Sequence, residues 1–293
     1  MRHVGVQLPH YGARLDLARM DRTLCLAEAS GFDSAWVTDH VAVPGRLAAE
    51  YGSITEALVT LGYLAGQSQR INLGVSALVV TARQPLLTLK QIASLDFLSG
   101  GRLILCVAAG WVEEEFQNLG YEFRTRGCRL DAWLDLFHSC IGQMPGPVSY
   151  DGPPPVHEAW LAPAPSAPAG PPIWVAGHSW AALARAARVG TWHPRAMPVA
   201  EFRPLAAVFK ARCPHGTIIS RMGVSFAPEA AAAGWDGRPP QRVAGPPAVV
   251  AEGLREYVRA GCDGFLITFV TDHGALEDHL VRFAEDVRPH LEG

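Results

Sequence analysis

The sequence lacks the features that would place the protein in a membrane, on nucleic acid or outside the cell. No apolar run approaches the roughly 18 residues needed to span a bilayer, and the N-terminus shows no signal-peptide pattern. The chain has 25 basic and 28 acidic residues, and no basic run that could follow a phosphate backbone. We therefore expect a cytoplasmic protein with neither a membrane nor a nucleic acid as partner.

Motifs for disulfides, metals and nucleotides are also missing. The six cysteines form no C-x-x-C pair, which suits reduced thiols better than a secreted disulfide framework. The histidines show neither H-x-H nor H-E-x-x-H spacing, so we expect no bound metal. The glycine patterns G-x-G-x-x-G and G-x-x-x-x-G-K-[ST] are absent, which argues against a Rossmann or P-loop nucleotide site.

The chain does have a regular alternation of short apolar runs with longer segments of helical period. The runs are too short for helices of average length and most are rich in Val, Ile or aromatic residues, which is typical of strands buried on both faces. Eight strands are predicted, at residues 4–8, 35–38, 71–80, 103–109, 173–176, 191–194, 218–226 and 265–270.

Eight helices are predicted between and after these strands. Apolar residues recur every three or four positions in several of them, and glycines or prolines mark their ends. In chain order, the first predicted helix begins at Leu17, the second covers residues 55–69 and the third begins at Pro85. The next four cover residues 124–143, 179–189, 199–213 and 247–260, and the eighth begins at Leu276.

Eight βα pairs in 293 residues indicate an α/β fold, a single (β/α)8 TIM barrel over residues 1–293, rather than an open sheet. Residues 145–172 hold ten of the 23 prolines and neither Lys nor Arg. We expect them to form an extended excursion over the surface between helix 4 and strand 5. Residues 227–247 read as a flexible loop after strand 7.

Catalytic groups of such barrels lie at the C-terminal ends of the strands. Histidine changes its charge most readily near neutral pH, and five histidines lie at or just after the C-terminal ends of the predicted strands. These strand ends form the rim of the barrel, which is the predicted active site. Several Asp residues share this rim, which leaves a metal-dependent hydrolase open as an alternative. The rim histidines are His10, His40, His178, His193 and His273.

Asp39 and His40 directly follow the second predicted strand. His40 would protonate or orient a reacting group, which is typically worth about 10²–10⁴-fold in rate, and a carboxylate such as Asp39 could hold its tautomer. A histidine in this position can equally cap a loop. The spacing alone leaves both interpretations open.

Gly177-His178-Ser179 joins strand 5 to a helix. A tight turn here would leave backbone N–H groups and the helix dipole free to bind a phosphate, although a plain strand-to-helix turn fits equally well. The segment 177–181 also nearly matches the G-x-S-x-G elbow of α/β-hydrolases, with Ala181 as the last residue. Asp263 and His290 follow in triad order, so an esterase using Ser179 remains an alternative.

The tryptophans fall into two groups. We expect Trp36, Trp133 and Trp174 to lie in the core, because they sit within or against predicted buried elements. Trp111 and Trp192 occupy rim positions, where their rings could wall a planar ligand.

Five stretches together resemble the luciferase-like monooxygenase superfamily, especially its deazaflavin-dependent oxidoreductases. The similarity is spread over nearly the whole chain, so it is more specific than any single motif. The stretches are GFDSAWVTDH at 31–40, LDFLSGGRL at 95–103, AGWVEEEF at 109–116, PIWVAGHS at 172–179 and AGCD at 260–263.

The resemblance implies a (β/α)8 barrel that binds reduced FMN or the 8-hydroxy-5-deazaflavin coenzyme (F-420) in its C-terminal mouth. The ring would lie against strand 3, where relatives have a bulge with a non-prolyl cis peptide, and the phosphate would lie on the turn at residue 177. The implied coenzyme-binding residues are Val75, Ser76, Ala77, Gly110, Trp111, Gly177, His178, Ser179, Gly190 and Thr191.

The resemblance also assigns catalytic residues. His40 matches a catalytic histidine of the deazaflavin relatives, with Asp39 beside it. Trp111 stands where some of those relatives carry a proton-donating glutamate, so an acid role falls to Glu113, Glu114 or another group, or is absent. The turn that begins with Gly190-Thr191 is shortened relative to the family's, which puts its part of the phosphate site in question.

The predicted function is therefore that of an oxidoreductase. A reduced flavin or deazaflavin would transfer hydride to a small organic substrate or support its monooxygenation. A superfamily member that binds flavin without catalysis is a second alternative. Dimerisation is common among relatives, so a homodimer is one expected assembly.

Overall fold

The computed structural model describes residues 2–227, 242–270 and 275–291. Most of the loop predicted at 227–247 lies outside the described residues, and so do Asp272 and the rim histidine His273. None of the described helices is long and apolar enough to cross a membrane.

All eight predicted strands are present, together with three strands that were not predicted. The predicted strands are β1, β2, β3, β4, β7, β8, β9 and β11. The strands of the described residues are β1 (His3–Gln7), β2 (Ser34–Val37), β3 (Asn72–Leu78), β4 (Leu103–Val107), β5 (Gly146–Tyr150), β6 (Val156–Leu161), β7 (Ile173–Ala176), β8 (Thr191–His193), β9 (Thr217–Ser225), β10 (Arg242–Ala244) and β11 (Gly264–Phe269).

All eight predicted helices are present as well, while the short helices α2 and α5 were not predicted. Both lie in connections after strands, where the apolar pattern is too short to show a helical period. The helices of the described residues are α1 (Leu17–Ala29), α2 (Ala48–Tyr51), α3 (Ala57–Gln67), α4 (Pro85–Leu98), α5 (Glu113–Asn118), α6 (Arg126–Cys140), α7 (Trp180–Val189), α8 (Val199–Arg212), α9 (Pro247–Arg259) and α10 (Leu276–Asp286).

The strand order identifies the fold. The main sheet runs β10-β9-β11-β1-β2-β3-β4-β7-β8, and β8 pairs with β9 as well. Following the pairings from β1 leads through β8, β9 and β11 back to β1, so eight parallel strands close on themselves and β10 joins β9 at its side. The protein is a (β/α)8 barrel, as the alternation of elements predicted.

The proline-rich segment between α6 and β7 contains regular structure that the sequence did not predict. Strands β5 and β6 form a two-stranded antiparallel sheet, with Gly146 opposite Leu161. Prolines flank and interrupt this pair, which hides the alternating pattern of a hairpin. The expected excursion of residues 145–172 over the surface stays a prediction.

The chain divides into two compact units. The first comprises Met1–Pro9, Ala18–Trp36 and Trp174–Gly293, and the second comprises His10–Leu17 and Val37–Ile173. In the first unit, the rings of Trp36 and Trp174 lie 4.7 Å apart, and His193 stacks on Trp36 at 6.1 Å. Trp36 and Trp174 are buried, as predicted.

Trp192 corrects a prediction. Its indole is fully buried and packs on Phe202 and Phe209 of α8, with ring centroids 5.9 and 6.0 Å away. Alternate residues of a strand point to opposite faces, so Trp192 faces the helices while its neighbour His193 points the other way. It therefore does not wall a ligand site.

In the second unit, a buried tryptophan packs in the core and an arginine joins the ends of several elements. Trp133 of α6 is buried, as predicted, and its ring stacks on Phe137 at 5.4 Å. Arg102, just before β4, ties the ends of α3 and α4 to the start of β3. Its guanidinium donates hydrogen bonds to the carbonyls of Ala65, Ser68, Ile71 and Ser99 and to the Ser68 hydroxyl.

Candidate active site

His40 lies in the second unit, three residues beyond the end of β2. Its side chain is 6% exposed, and its Nδ1 lies 3.0 Å from Oε2 of Glu115 in α5. The ring packs against Tyr51 of α2 at 4.5 Å, and the Trp111 ring meets it edge-on at 5.9 Å. His40 is thus a buried and oriented imidazole at the C-terminal end of a barrel strand.

Glu115 is buried and carries a negative charge. Besides His40 Nδ1, its carboxylate accepts hydrogen bonds from the backbone N–H groups of Val41 and Ala42. Burial alone would raise the pKa of Glu115, but these hydrogen bonds outweigh it, so the pKa lies below its usual value. The carboxylate is therefore ionised at neutral pH.

Sequence reasoning missed Glu115 because it sits in a run of three acidic residues, which reads as a solvated face. The structure exposes Glu113, leaves Glu114 half-exposed and buries Glu115. Val112, the N-cap of α5, and Phe116 are also buried. Glu115 and Phe116 follow Val112 by three and four residues, which puts all three on one side of this short helix. This apolar spacing is the sequence signal that could have identified Glu115 as the buried member of the acidic run.

Asp39 does not orient His40, which corrects the role suggested for it. The Asp39 carboxylate accepts hydrogen bonds from Arg83, at 2.7 Å, and from the Val79 backbone N–H, at 2.9 Å. Burial raises the pKa of Asp39, and the Arg83 guanidinium opposes that rise. The same Arg83 nitrogen lies 2.7 Å from Glu56. Asp39 therefore anchors the chain around β3, while Glu115 orients the imidazole.

Strand β3 has the irregularity that the resemblance implied. Its register against β4 shifts between Ser76 and Leu78, and the Ser76–Ala77 peptide bond is cis. The Thr38 hydroxyl donates to the Ser76 carbonyl at 3.0 Å. Val75 and Ser76 are buried, whereas Ala77 is partly exposed, so Ala77 is the member of this predicted set whose side chain remains accessible.

Gly110 and Trp111 follow β4. Gly110 has φ +81°, and a Cβ atom there would lie 2.6 Å from the Phe116 ring and 2.8 Å from Val79 Cγ1, so only glycine fits. Trp111 is 39% exposed, as expected of a rim residue. An open cavity of about 590 Å³ lies against it, and Trp111, Phe123, Arg46, Glu113, Glu114 and Gln117 line this cavity.

The turn at Gly177-His178-Ser179 belongs to the first unit and joins β7 to α7. Gly177 has φ +122°, and a Cβ atom there would lie 2.9 Å from Ala182 Cβ. Ser179 caps α7, because its Oγ accepts the Ala182 N–H at 3.1 Å. Nε2 of His178 accepts the Arg195 N–H at 3.0 Å, so the neutral ring carries its proton on Nδ1.

Gly190 and Thr191 do not join this turn, which corrects their assignment to the same site. Gly190 caps the C-terminus of α7, and Thr191 begins β8. The ten residues of α7 span about 15 Å, so they carry the chain to the opposite end of the barrel. Gly190 and Thr191 therefore lie at the N-terminal end of β8, away from Gly177.

Two other rim histidines are buried. Nε2 of His10 accepts the Thr38 backbone N–H at 2.8 Å, and its side chain is not exposed. Nδ1 of His193 lies 2.6 Å from the Ile219 carbonyl. Burial lowers the pKa of His193 to about 3, so this ring is neutral near pH 7. His193 is the last residue of β8, at the predicted strand end, and its side chain is buried in the core.

The structure does not support the serine-hydrolase alternative. The Ser179 hydroxyl caps a helix, while Asp263 pairs with Lys210 at 2.8 Å and accepts the Ile218 N–H, so neither belongs to a triad. Within the part of the chain that the structure describes, no group of three or more His, Cys, Asp or Glu residues is placed to hold a metal ion.

Comparison with known proteins agrees with this fold. The model of the family described as luciferase-like monooxygenase matches residues 3–213. The chain belongs to the luciferase-like monooxygenase family. The alkanal monooxygenase alpha chain of Photorhabdus luminescens is 24% identical over 185 residues, which cover 63% of this chain and 49% of that protein. The chain thus spans about half the length of the curated relatives it matches.

Solved structures share the fold over the whole chain. Monooxygenase RslO1 from Streptomyces bottropensis has a TM-score of 0.80 at 17% identity, covering 98% of this chain and 99% of that one. The oxygenating constituent of 3,6-diketocamphane monooxygenase from Pseudomonas putida, in complex with FMN, has a TM-score of 0.77 at 15% identity, covering 99% of both chains. An F-420-dependent secondary alcohol dehydrogenase has a TM-score of 0.76 at 14% identity, covering 100% of this chain and 99% of that one. At these identities the likeness shows the fold alone.

Proposed function

We propose that residues 1–293 form one oxidoreductase domain that uses reduced FMN or the reduced deazaflavin F-420 to reduce or monooxygenate a small organic substrate. Family membership over residues 3–213 supports the redox class. The two coenzymes are those of the similar structures from Pseudomonas putida and of the secondary alcohol dehydrogenase. The observation that carries the proposal is the buried His40 after β2, held by Glu115.

The residues of the 177–179 turn fit a phosphate group. Gly177 has no side chain to block the approach, and the ten-residue helix α7 directs its N-terminal N–H groups there. Ser179 Oγ accepts from Ala182, so its hydroxyl proton can be donated to an anion. His178 Nδ1–H is a further donor, and burial lowers the pKa of His178, which keeps the ring neutral.

In the second unit, Ala77 and Trp111 offer accessible surface to a planar ring. We propose that the bulged segment Val75-Ser76-Ala77 and the residues Gly110 and Trp111 bind the coenzyme's tricyclic ring. When bound, a deazaflavin supplies hydride, whereas FMN can also supply electrons to oxygen. The chain contributes shape, exclusion of water and the imidazole of His40.

The proposed role of His40 is proton transfer at Nε2. Its Nδ1 is engaged by Glu115, and within the described residues Nε2 makes no hydrogen bond. A neutral imidazole can take a proton at that atom from a substrate hydroxyl, and the charged ring can return one to a carbonyl oxygen. These are the proton movements that accompany hydride transfer between an alcohol and a ketone.

The phosphate assignment is tested with Ser179→Asp. Asp caps a helix as well as Ser does, so stability should be kept, but its charge repels a phosphate. We expect FMN to bind at least about tenfold more weakly to the variant, while riboflavin, which lacks the phosphate, binds equally to both proteins. The deazaflavin and its phosphate-free chromophore form the second pair of ligands. Equal binding of both members of each pair would remove the phosphate from this turn.

A further inference from the structure

The Glu115 carboxylate determines which nitrogen of His40 carries the proton. An ionised carboxylate only accepts hydrogen bonds, so the 3.0 Å contact requires the proton on Nδ1. The pKa of Glu115 is lowered, so the carboxylate keeps its charge well into the acid range. The lone pair of a neutral His40 therefore lies on Nε2.

The same carboxylate also holds the backbone that follows His40. Its Oε1 accepts the N–H groups of Val41 and Ala42, while Oε2 faces the imidazole. Two further contacts join α5 to this segment. Glu114 pairs with Arg46 through two hydrogen bonds of 3.0 and 2.9 Å, and Asn118 donates to the Ala42 carbonyl. These contacts hold Glu115 beside His40, and the imidazole cannot rotate without losing its contact with Oε2.

We propose that Glu115 is a positioning residue that acts through His40, fixing its Nδ1–H tautomer and its ring orientation so that Nε2 is the proton-accepting atom. The catalytic consequence rests on the proposed function, whereas the tautomer itself does not. Aromatic packing supports the assignment, because the Tyr51 and Trp111 rings both contact the imidazole and restrict its rotation.

The wild-type protein provides the first test, without coenzyme or substrate. Nitrogen NMR of histidine-labelled protein distinguishes a protonated ring nitrogen from an unprotonated one, and the spectrum of His40→Asn identifies the His40 signals. We expect a protonated Nδ1 and an unprotonated Nε2 at a pH where the ring is neutral. A protonated Nε2 in the wild type would overturn the proposal, whether or not any Glu115 variant folds.

Glu115→Gln provides the second test. An amide has one accepting and one donating end, and the N–H groups of Val41 and Ala42 require the oxygen to face them. The NH₂ group then faces His40 Nδ1, which must accept, so the proton moves to Nε2. We expect the tautomer to reverse. Retention of the Nδ1–H form in this variant would contradict the proposal.

Glu114→Gln is the matched control, because it removes the same charge from the neighbouring residue of α5. Glu114 pairs with Arg46 at the surface and does not contact His40. We expect the His40 tautomer in this variant to be that of the wild type. A reversal here as well would show that the net charge of α5, rather than the Glu115 contact, sets the tautomer.

Kinetics separates this proposal from the proposed function. With a substrate and coenzyme in hand, Glu115→Gln should lower kcat about 10²-fold, because the wrong tautomer faces the reaction, with KM changed less than about threefold. Glu115→Asp, which keeps the charge and an accepting group, should recover part of kcat. If His40→Asn leaves turnover unchanged, the catalytic role fails while the tautomer result stands. An unchanged kcat in Glu115→Gln with a reversed tautomer would overturn the positioning role.

Discussion

Arg83 Nη2 lies 2.7 Å from Oδ1 of Asp39, whose side chain is only 1% exposed. This ion pair joins the residue before His40 to the segment after β3, where Val79 also donates its N–H to Asp39. It therefore fixes the relative position of the ends of β2 and β3. Asp39 supports the site by anchoring the chain rather than by touching the imidazole.

Asp39→Asn should destabilise the protein by about 3 kcal/mol, because removing one partner of a buried pair leaves the other charge uncompensated. The free energy of unfolding in urea measures this loss. Arg83→Met should cost a similar amount, and the double variant should lose less than the sum of the two. Strict additivity would show that the pair does not act as a unit.

His40→Asn should lower turnover about 10²-fold or more while coenzyme affinity stays nearly constant. The Asn amide nitrogen takes the place of Nδ1 and keeps the hydrogen bond to Glu115, whereas Nε2 is lost. Separate measurements of kcat and of the coenzyme Kd, for this variant and the wild type, check the prediction. Equal turnover would remove His40 from the mechanism.

Acid should destabilise the first unit through His193. The pKa of this histidine is about 3 in the folded protein and 6.5 in the unfolded chain. Between pH 6.5 and pH 3, the unfolded chain therefore binds a proton at this histidine that the folded protein does not bind. The contribution of His193 to the free energy of unfolding is complete above pH 6.5 and decreases as the pH drops toward 3. The loss reaches at most about 5 kcal/mol, with a slope near 1.4 kcal/mol per pH unit.

His193→Asn tests that account, because the Asn amide can still donate to the Ile219 carbonyl but does not titrate. The slope of unfolding free energy against pH between 6.5 and 3 should become shallower in this variant. His157 is exposed on β6, and His157→Asn is the matched control for replacing a histidine at the surface. An identical slope in His193→Asn and the wild type would contradict the assignment.

Arg102→Met should cost about 3 kcal/mol of unfolding free energy, since the variant keeps the aliphatic stem but leaves four carbonyl groups without their donor. Urea denaturation measures the change. Arg203→Met, on an exposed face of α8, is the control and should change stability by less than about 0.5 kcal/mol. Similar values for the two variants would show that the carbonyl contacts contribute nothing.

The barrel could be predicted because its parallel strands are buried on both faces and read as apolar runs, while each helix shows its own period. The hairpin β5–β6 could not, because prolines and an irregular register mask its alternation. The irregularity of β3 at Ser76–Ala77 followed from the family resemblance and not from any local pattern.

The site was predicted in part. The order of the strands placed His40, Trp111 and Gly177 at C-terminal strand ends, and the structure agrees. The partner of His40 could not be found, since Glu115 lies 75 positions away and meets it only through tertiary packing. Gly190 was grouped with Gly177 through the family resemblance, although the predicted helix at 179–189 already separates the two residues and places Gly190 before the next strand.

The central claim is that the protein binds a reduced flavin-type coenzyme, and an anaerobic fluorescence titration tests it most directly. Purified protein is titrated with reduced FMN and, separately, with reduced F-420, and Ser179→Asp is titrated in parallel. We predict saturable binding of one coenzyme at one site per chain, weakened at least about tenfold by the substitution. Failure of both coenzymes to bind the wild-type protein would contradict the account.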